Sequence, residues 1–151
     1  MRRVFVLIFL ALAPLSAAAQ DASDIGQSPA EQGVLRSDAK DLSEFVWINR
    51  PIVVLADSPQ DPRFIQQMKF IEAELDELAE RDVVVLTDTD PSANSALREA
   101  LHPRGFMLVL IGKDGMIKLR KPVPWDVREI SRVIDKMPMR QQEIRDRRGI
   151  N

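Results

Sequence analysis

The chain has no cysteine and a single histidine among its 151 residues. The first absence excludes disulfides, dithiol exchange and any thiol nucleophile. The second leaves a zinc site without the further imidazole that usually completes it. Glycine is scarce, at six residues, and those glycines punctuate turns rather than forming a phosphate-cradling loop. No G-x-S-x-G elbow surrounds Ser58, which argues against a hydrolase serine. No long apolar run exists either: the stretch Val4 to Ala13 is interrupted by Pro14 and Ser16, well short of the roughly 20 residues that span a bilayer. Positive charge does not dominate, since 21 Lys and Arg face 23 Asp and Glu for a formal −2. That balance excludes the dense cationic surface nucleic acid requires. No repeat is visible.

What is present begins with an address. Arg2 and Arg3, the apolar run and Ala17-Ala18-Ala19 before Gln20 match the charged, apolar and cleavable parts of a secretory signal peptide. A buried N-terminal helix is the alternative. Residues 1–19 are therefore expected to be removed, leaving a periplasmic or secreted chain with no transmembrane anchor. No cysteine stands at the cut to carry a lipid. Cleavage removes two arginines and no acid, so nineteen cations then face 23 acids, a formal charge of −4. Exported domains often lean on disulfides, but a domain of about 100 residues can be stabilised by its core alone.

Residues 20–33 are polar, with Gly26, Pro29 and Gly33, and read as a flexible leader. A single domain is expected over 34–140 and a charged tail over 141–151. Leu35 to Ile48 suits a short amphipathic helix, with Trp47 packing at the domain edge or, alternatively, marking a partner surface. Ile52 to Ala56 is a β-branched apolar run, the signature of a strand buried on both faces. Asp61-Pro62 then opens a helix as cap and first-turn proline. Phe64, Met68, Ile71, Leu75 and Leu78 follow at helical spacing, and the acids from Glu72 to Glu80 form its solvated face. Val83 to Leu86 is a second strand, and Asp90-Pro91 repeats the opening for a helix to about Leu101. Two successive strand-helix units imply a parallel pair. Phe106 to Ile111 is a third strand, Gly112-Lys113-Asp114-Gly115 a hairpin turn, and Met116 to Arg120 a half-exposed fourth strand. A last helix runs from about Trp125 to Met137 and stops at Pro138.

The order βαβαββα resembles the thioredoxin fold over residues 50–137, and Leu108 to Gly115 resembles its third strand and turn. The resemblance implies an α/β domain with a central four-stranded mixed sheet flanked by helices, the third strand running antiparallel beside the first. The family's redox cysteine pair is replaced by Asp57-Ser58-Pro59-Gln60-Asp61-Pro62-Arg63. Its proline before the third strand has no clear match, because hairpin alignment puts Met107 there and Pro103 lies four residues earlier. Three further segments are distinctive: Asp61-Pro62-Arg63, the turn 112–115 with Lys118-Leu119-Arg120, and Met137-Pro138-Met139-Arg140 with Glu143. They resemble a thioredoxin-like domain of unknown function found in small secreted bacterial proteins and at the C-terminus of sushi-repeat extracellular matrix proteins. That family contributes no catalytic residues and no cofactor, and its matrix setting favours binding over catalysis.

In open α/β sheets ligands gather beyond the carboxyl ends of the strands. There the sequence offers Asp57, Ser58, Asp61, Arg63, Asp88 and Asp90, and the resemblance brings His102 and Arg104 to the same edge. The favoured reading is a non-catalytic binding module, without thiol redox activity and without a cofactor. Its partner or ligand edge is Asp57, Ser58, Asp61, Arg63, His102 and Arg104, facing an envelope protein or an anionic ligand. The alternative is a metal- or phosphate-dependent enzyme on Asp57, Asp61, Asp88 and Asp90, with His102 as proton carrier. Helix capping explains Asp61 and Asp90 without any ligand. The arginines of the tail read as a frayed helix with compensating charges or as a basic docking patch.

Overall fold

The computed structural model describes residues 35–36 and 41–149; the expected signal peptide and leader lie outside the described residues. Strands β1 (Leu35–Arg36), β2 (Arg50–Leu55), β3 (Val83–Asp88), β4 (Met107–Ile111) and β5 (Ile117–Lys121) form one sheet in the order β1-β3-β2-β4-β5. β2 and β3 are parallel, β4 is antiparallel to β2, and β5 is antiparallel to β4. The four-stranded mixed sheet is thus present. β1 adds two residues to the outer edge of β3, where the sequence suggested the start of a helix.

Helices α1 (Pro62–Glu72), α2 (Leu75–Ala79) and α4 (Val127–Asp135) cover one face of the sheet. They bury Ile71, Leu75, Leu78, Val127, Ile130 and Ile134 on Ile52, Val54, Val83, Val85, Leu108 and Leu110. Gln67, fully buried in α1, fixes the approach to α4: its amide donates to the Trp125 carbonyl at 3.0 Å and accepts from the Trp125 N–H at 2.7 Å. The opposite face is covered more thinly. A 3-10 turn at Leu42–Phe45 and helix α3 (Ala96–Leu101) set Phe45, Leu97 and Leu101 against Val53, Leu55, Val84, Leu86, Val109 and Ile111. Helix α5 (Pro138–Gly149) follows α4 and buries Arg140. Among the described residues no helix is long and apolar enough to cross a membrane.

Three local readings change. The long helix from Pro62 breaks after Glu72, because Glu74 leaves helical geometry at φ −135°, ψ 36°. The apolar spacing continues through the break, so periodicity does not betray it; burying Leu75 and Leu78 outweighs the lost helical bonds. Asp90-Pro91 opens only a 3-10 turn, Pro91–Ala93. Asn94 ends it in the left-handed region at φ 45°, which asparagine tolerates, and Ser95 caps α3 through the Arg98 N–H. The stretch to Ile48 is a 3-10 turn rather than an α-helix, and Trp47 leaves it at φ 66° with its side chain 67% exposed instead of packed. Its N–H is held by the Lys113 carbonyl at 2.6 Å. Pro138 begins α5, as a first-turn proline can.

Candidate functional site

The parallel register sets Leu55 opposite Asp88, and the antiparallel register sets Met107 opposite Leu55. The chain after β2, the chain after β3 and the turn before β4 therefore meet at one end of the sheet. Ala56 continues the ladder for one bond, its N–H reaching the Asp88 carbonyl at 3.0 Å, before Asp57 turns out to solvent.

Asp61 is the N-cap of α1 and accepts from the Arg63 N–H at 2.9 Å. The same carboxylate takes both Nε and Nη2 of Arg63, at 3.2 and 2.9 Å. The Arg63 side chain, then its amide, hold the Asp61 carboxyl below the usual carboxylate range. Arg63 is still about half exposed, and its guanidinium lies 5.6 Å above the ring of buried Phe106. The pairing orients the arginine without covering it. Ser58 turns inward on its own loop, its hydroxyl donating to Gln60 Oε1 at 2.5 Å and accepting from the Gln60 N–H at 3.1 Å. No base touches it.

Gly105 joins the two segments. A Cβ at this residue would lie 3.9 Å from both Arg63 Nη2 and Asp57 Oδ2, so both side chains border it. Its φ of +66° also favours glycine. Arg104 and His102 stand on the same turn with exposed side chains, and Arg104 has no ion-pair partner among the described residues. His102 ends α3 in the left-handed region at φ 48°, its N–H donating to the Arg98 carbonyl at 2.8 Å. The loop 57–63 forms an open depression lined by Asp57, Ser58, Gln60, Asp61, Pro62 and Arg63. All six residues of the expected edge thus lie on two adjoining segments.

Asp88 and Asp90 are taken up by partners of their own. Burial alone would raise the Asp88 carboxyl, but hydrogen bonds from Ser95 and Arg98 outweigh it and hold it low. Arg98 Nε reaches Asp88 Oδ1 at 2.8 Å, and Ser95 closes the other oxygen. Asp90 caps its 3-10 turn through the Ser92 hydroxyl and N–H, which lower its carboxyl. Among the described residues, no group of three or more His, Cys, Asp or Glu is placed to hold a metal ion. The carboxylate-cluster alternative therefore draws no support from the geometry.

The residue that sequence reasoning missed is Arg98. Its guanidinium joins Asp88, the Ala56 carbonyl and, at 3.7 Å, Asp57 Oδ1, tying the ends of β2 and β3 together beneath the edge. It lies ten positions from Asp88 and 42 from Ala56, and no helical or strand period connects those positions.

At the other end of the sheet a second network is closed. Arg50 is 1% exposed. It donates to the Arg81 carbonyl at 2.8 Å and to Glu143 Oε1 at 2.9 Å. Lys113 bridges Glu143, at 3.0 Å, and Asp82, at 2.8 Å. Arg140 lies 3.4 Å from Glu143 Oε2 and 3.5 Å from Asp135. Burial would raise the Glu143 carboxyl, but the Arg50 and Lys113 side chains bring it down to about 2. Of the distinctive sequence segments, Lys113 and Glu143 thus tie α5 to the end of the sheet, and Arg140 ties it to α4.

A family profile described as "Domain of unknown function (DUF4174)" matches residues 41–143. No curated protein matches the chain. Among solved structures, the reduced 2-Cys peroxiredoxin of Plasmodium vivax is similar at 14% identity and a TM-score of 0.55, over 67% of this chain and 84% of that one. Chloroplastic thioredoxin z is similar at 19% identity and a TM-score of 0.52, over 68% and 91%. Such likeness shows a thioredoxin-type fold and carries no activity with it. The cysteines counted in the first protein's name have no counterpart here.

Proposed function

The chain belongs to the family described as Domain of unknown function (DUF4174), and from that premise we propose that it is an exported, non-catalytic interaction module on a thioredoxin-type fold. Its contact edge is the loop 57–63 with the adjoining turn 102–105, and its counterpart is an envelope protein or an anionic ligand. The observation that carries this reading is that the Asp57 and Arg63 side chains both border Gly105, with Arg104 next to it in the chain, exposed and without an ion pair among the described residues. The loop that would carry thiol chemistry in a redox relative offers two carboxylates and an arginine instead. Such an edge recognises charge and shape, and its one hydroxyl, on Ser58, is engaged by Gln60 rather than by His102 or a carboxylate among the described residues.

Export rests on the N-terminal pattern of residues 1–19. Fusing those residues to a reporter that is active only outside the cytoplasm tests it, and a silent fusion removes that part of the proposal. For the edge, the chain and its Arg63→Ala and Arg104→Ala variants are compared in capture from an envelope extract, with circular dichroism confirming the fold of each. Loss of a partner from a folded variant supports the edge. Identical partners for all three place the interaction elsewhere.

A further inference from the structure

Among the described residues β5 ends the sheet: it pairs with β4 on one side and with no strand on the other. One row of its N–H and C=O groups is therefore open to pairing with another chain. Its five residues, Ile117-Lys118-Leu119-Arg120-Lys121, include three cations in a chain whose formal charge is negative. Lys118 is matched by Asp114 at 2.6 Å. The other two have no carboxylate partner among the described residues. Arg120 donates to the Leu101 carbonyl at 2.7 Å and touches Met107 Sδ at 3.5 Å, while Lys121 sits 4.5 Å over the Trp125 ring. They lie on opposite faces of the strand, since Arg120 pairs across from Val109 and Lys121 from Leu108, which belong to the two different cores.

Lysine and arginine on an edge strand ordinarily serve to prevent unwanted strand pairing, and here they oppose a second copy of β5, whose like charges would stand opposite. Protection alone does not account for the apolar residues at both ends. Met116 is 62% exposed, Ile117 43% and, just past the strand, Val123 52%. A strand that met only water would gain nothing from these, whereas an incoming strand would cover them. The two unmatched cations, one on each face, select for acids at successive positions of that strand.

We propose that the free edge of β5 accepts an extended acidic segment of another protein as an added strand, with its carboxylates against Arg120 and Lys121 and its apolar residues over Ile117 and Val123. The backbone ladder supplies affinity and the alternate side chains supply selection, as in other strand additions. This surface does not depend on the reading of the loop 57–63.

The test is fluorescence anisotropy with the full chain and a synthetic, end-capped peptide that carries two successive glutamates flanked on both sides by valines. Three comparisons decide it. The Arg120→Glu/Lys121→Glu variant, shown by circular dichroism to be folded, should bind the peptide at least tenfold more weakly. A peptide with the same glutamates but prolines in place of the valines cannot form a ladder, and it should bind at least tenfold more weakly to the unaltered chain. A lysine-valine peptide should not bind. Equal binding of the proline peptide would show charge attraction without strand addition and overturn the proposal, as would equal binding by the charge-reversed variant. Should that variant fail to fold, Lys121→Gln alone, expected to lose severalfold, takes its place.

Discussion

At the start of β2, Arg50 is 1% exposed, and Glu143, Lys113, Asp82 and Arg140 close around it. Past the end of the same strand, Asp57 is 62% exposed, Arg63 about half exposed, and Arg104 without an ion pair among the described residues. Both ends use arginine and carboxylate. What separates them is solvent: at the closed end the Arg50 charge is withdrawn from water and must be matched, so its partly buried partners stabilise the fold, whereas at the open end water screens the pairs and leaves them little to contribute. Arg98 marks the boundary, 10% exposed and joined both to half-buried Asp88 and to exposed Asp57. Side chains that do little for stability are the ones a fold can devote to contact.

The comparison breaks most directly at Arg50. Arg50→Met should lower unfolding free energy by about 4 kcal/mol, because Glu143 and the Arg81 carbonyl lose their principal donor. Urea denaturation measures this, and a cycle with Glu143→Gln should show strong coupling between the two positions. A loss under about 1 kcal/mol would place Arg50 among the screened surface charges.

Acid should act on the same end. The Glu143 carboxyl sits at about 2 when folded against an ordinary 4.5. Because the folded value is the lower one, the contribution is complete above pH 4.5 and is lost as pH falls toward 2. The shift corresponds to roughly 3 kcal/mol. Urea midpoints at successive pH values should fall more steeply through this window for the chain than for Glu143→Gln; parallel curves would mean that the carboxyl is not held low.

Arg98→Ala tests the boundary. Asp88 keeps Ser95 but loses its guanidinium, so about 2 kcal/mol should go, with faster amide exchange at Ala56 reporting that the ends of β2 and β3 have loosened. Smallest of all, Arg63→Ala and Arg104→Ala should each leave the urea midpoint close to that of the unaltered chain, because water screens both charges. A clear fall at either would make the open end structural and remove the contrast.

Much of this fold was legible because its signals are local. Asp61-Pro62 gives cap and first helical residue within two positions, Gly112-Lys113-Asp114-Gly115 gives a turn within four, and Ile52 to Leu55 and Val83 to Leu86 are continuous apolar runs that only burial on both faces explains. The placement of Asp57, Ser58, Asp61 and Arg63 at one end of the sheet was legible because parallel strands send their following loops there, whereas that of His102 and Arg104 came from the resemblance, which set β4 antiparallel to β2. The Arg50–Glu143 pair spans 93 positions and has no such signal. Nor did the break between α1 and α2, where the apolar spacing passes unchanged through Glu74. Trp47 misled for a related reason: an aromatic favours burial on average, but a left-handed turn tied to Lys113 sends it outward.

The claim that the open end is the working end is tested most directly by photo-crosslinking in cells. A photoreactive residue in place of Arg104 is compared with one in place of Gln141, an exposed position on α5. The account predicts a discrete protein adduct from position 104 and none of the same mass from position 141. An adduct from 141 with none from 104 would contradict it.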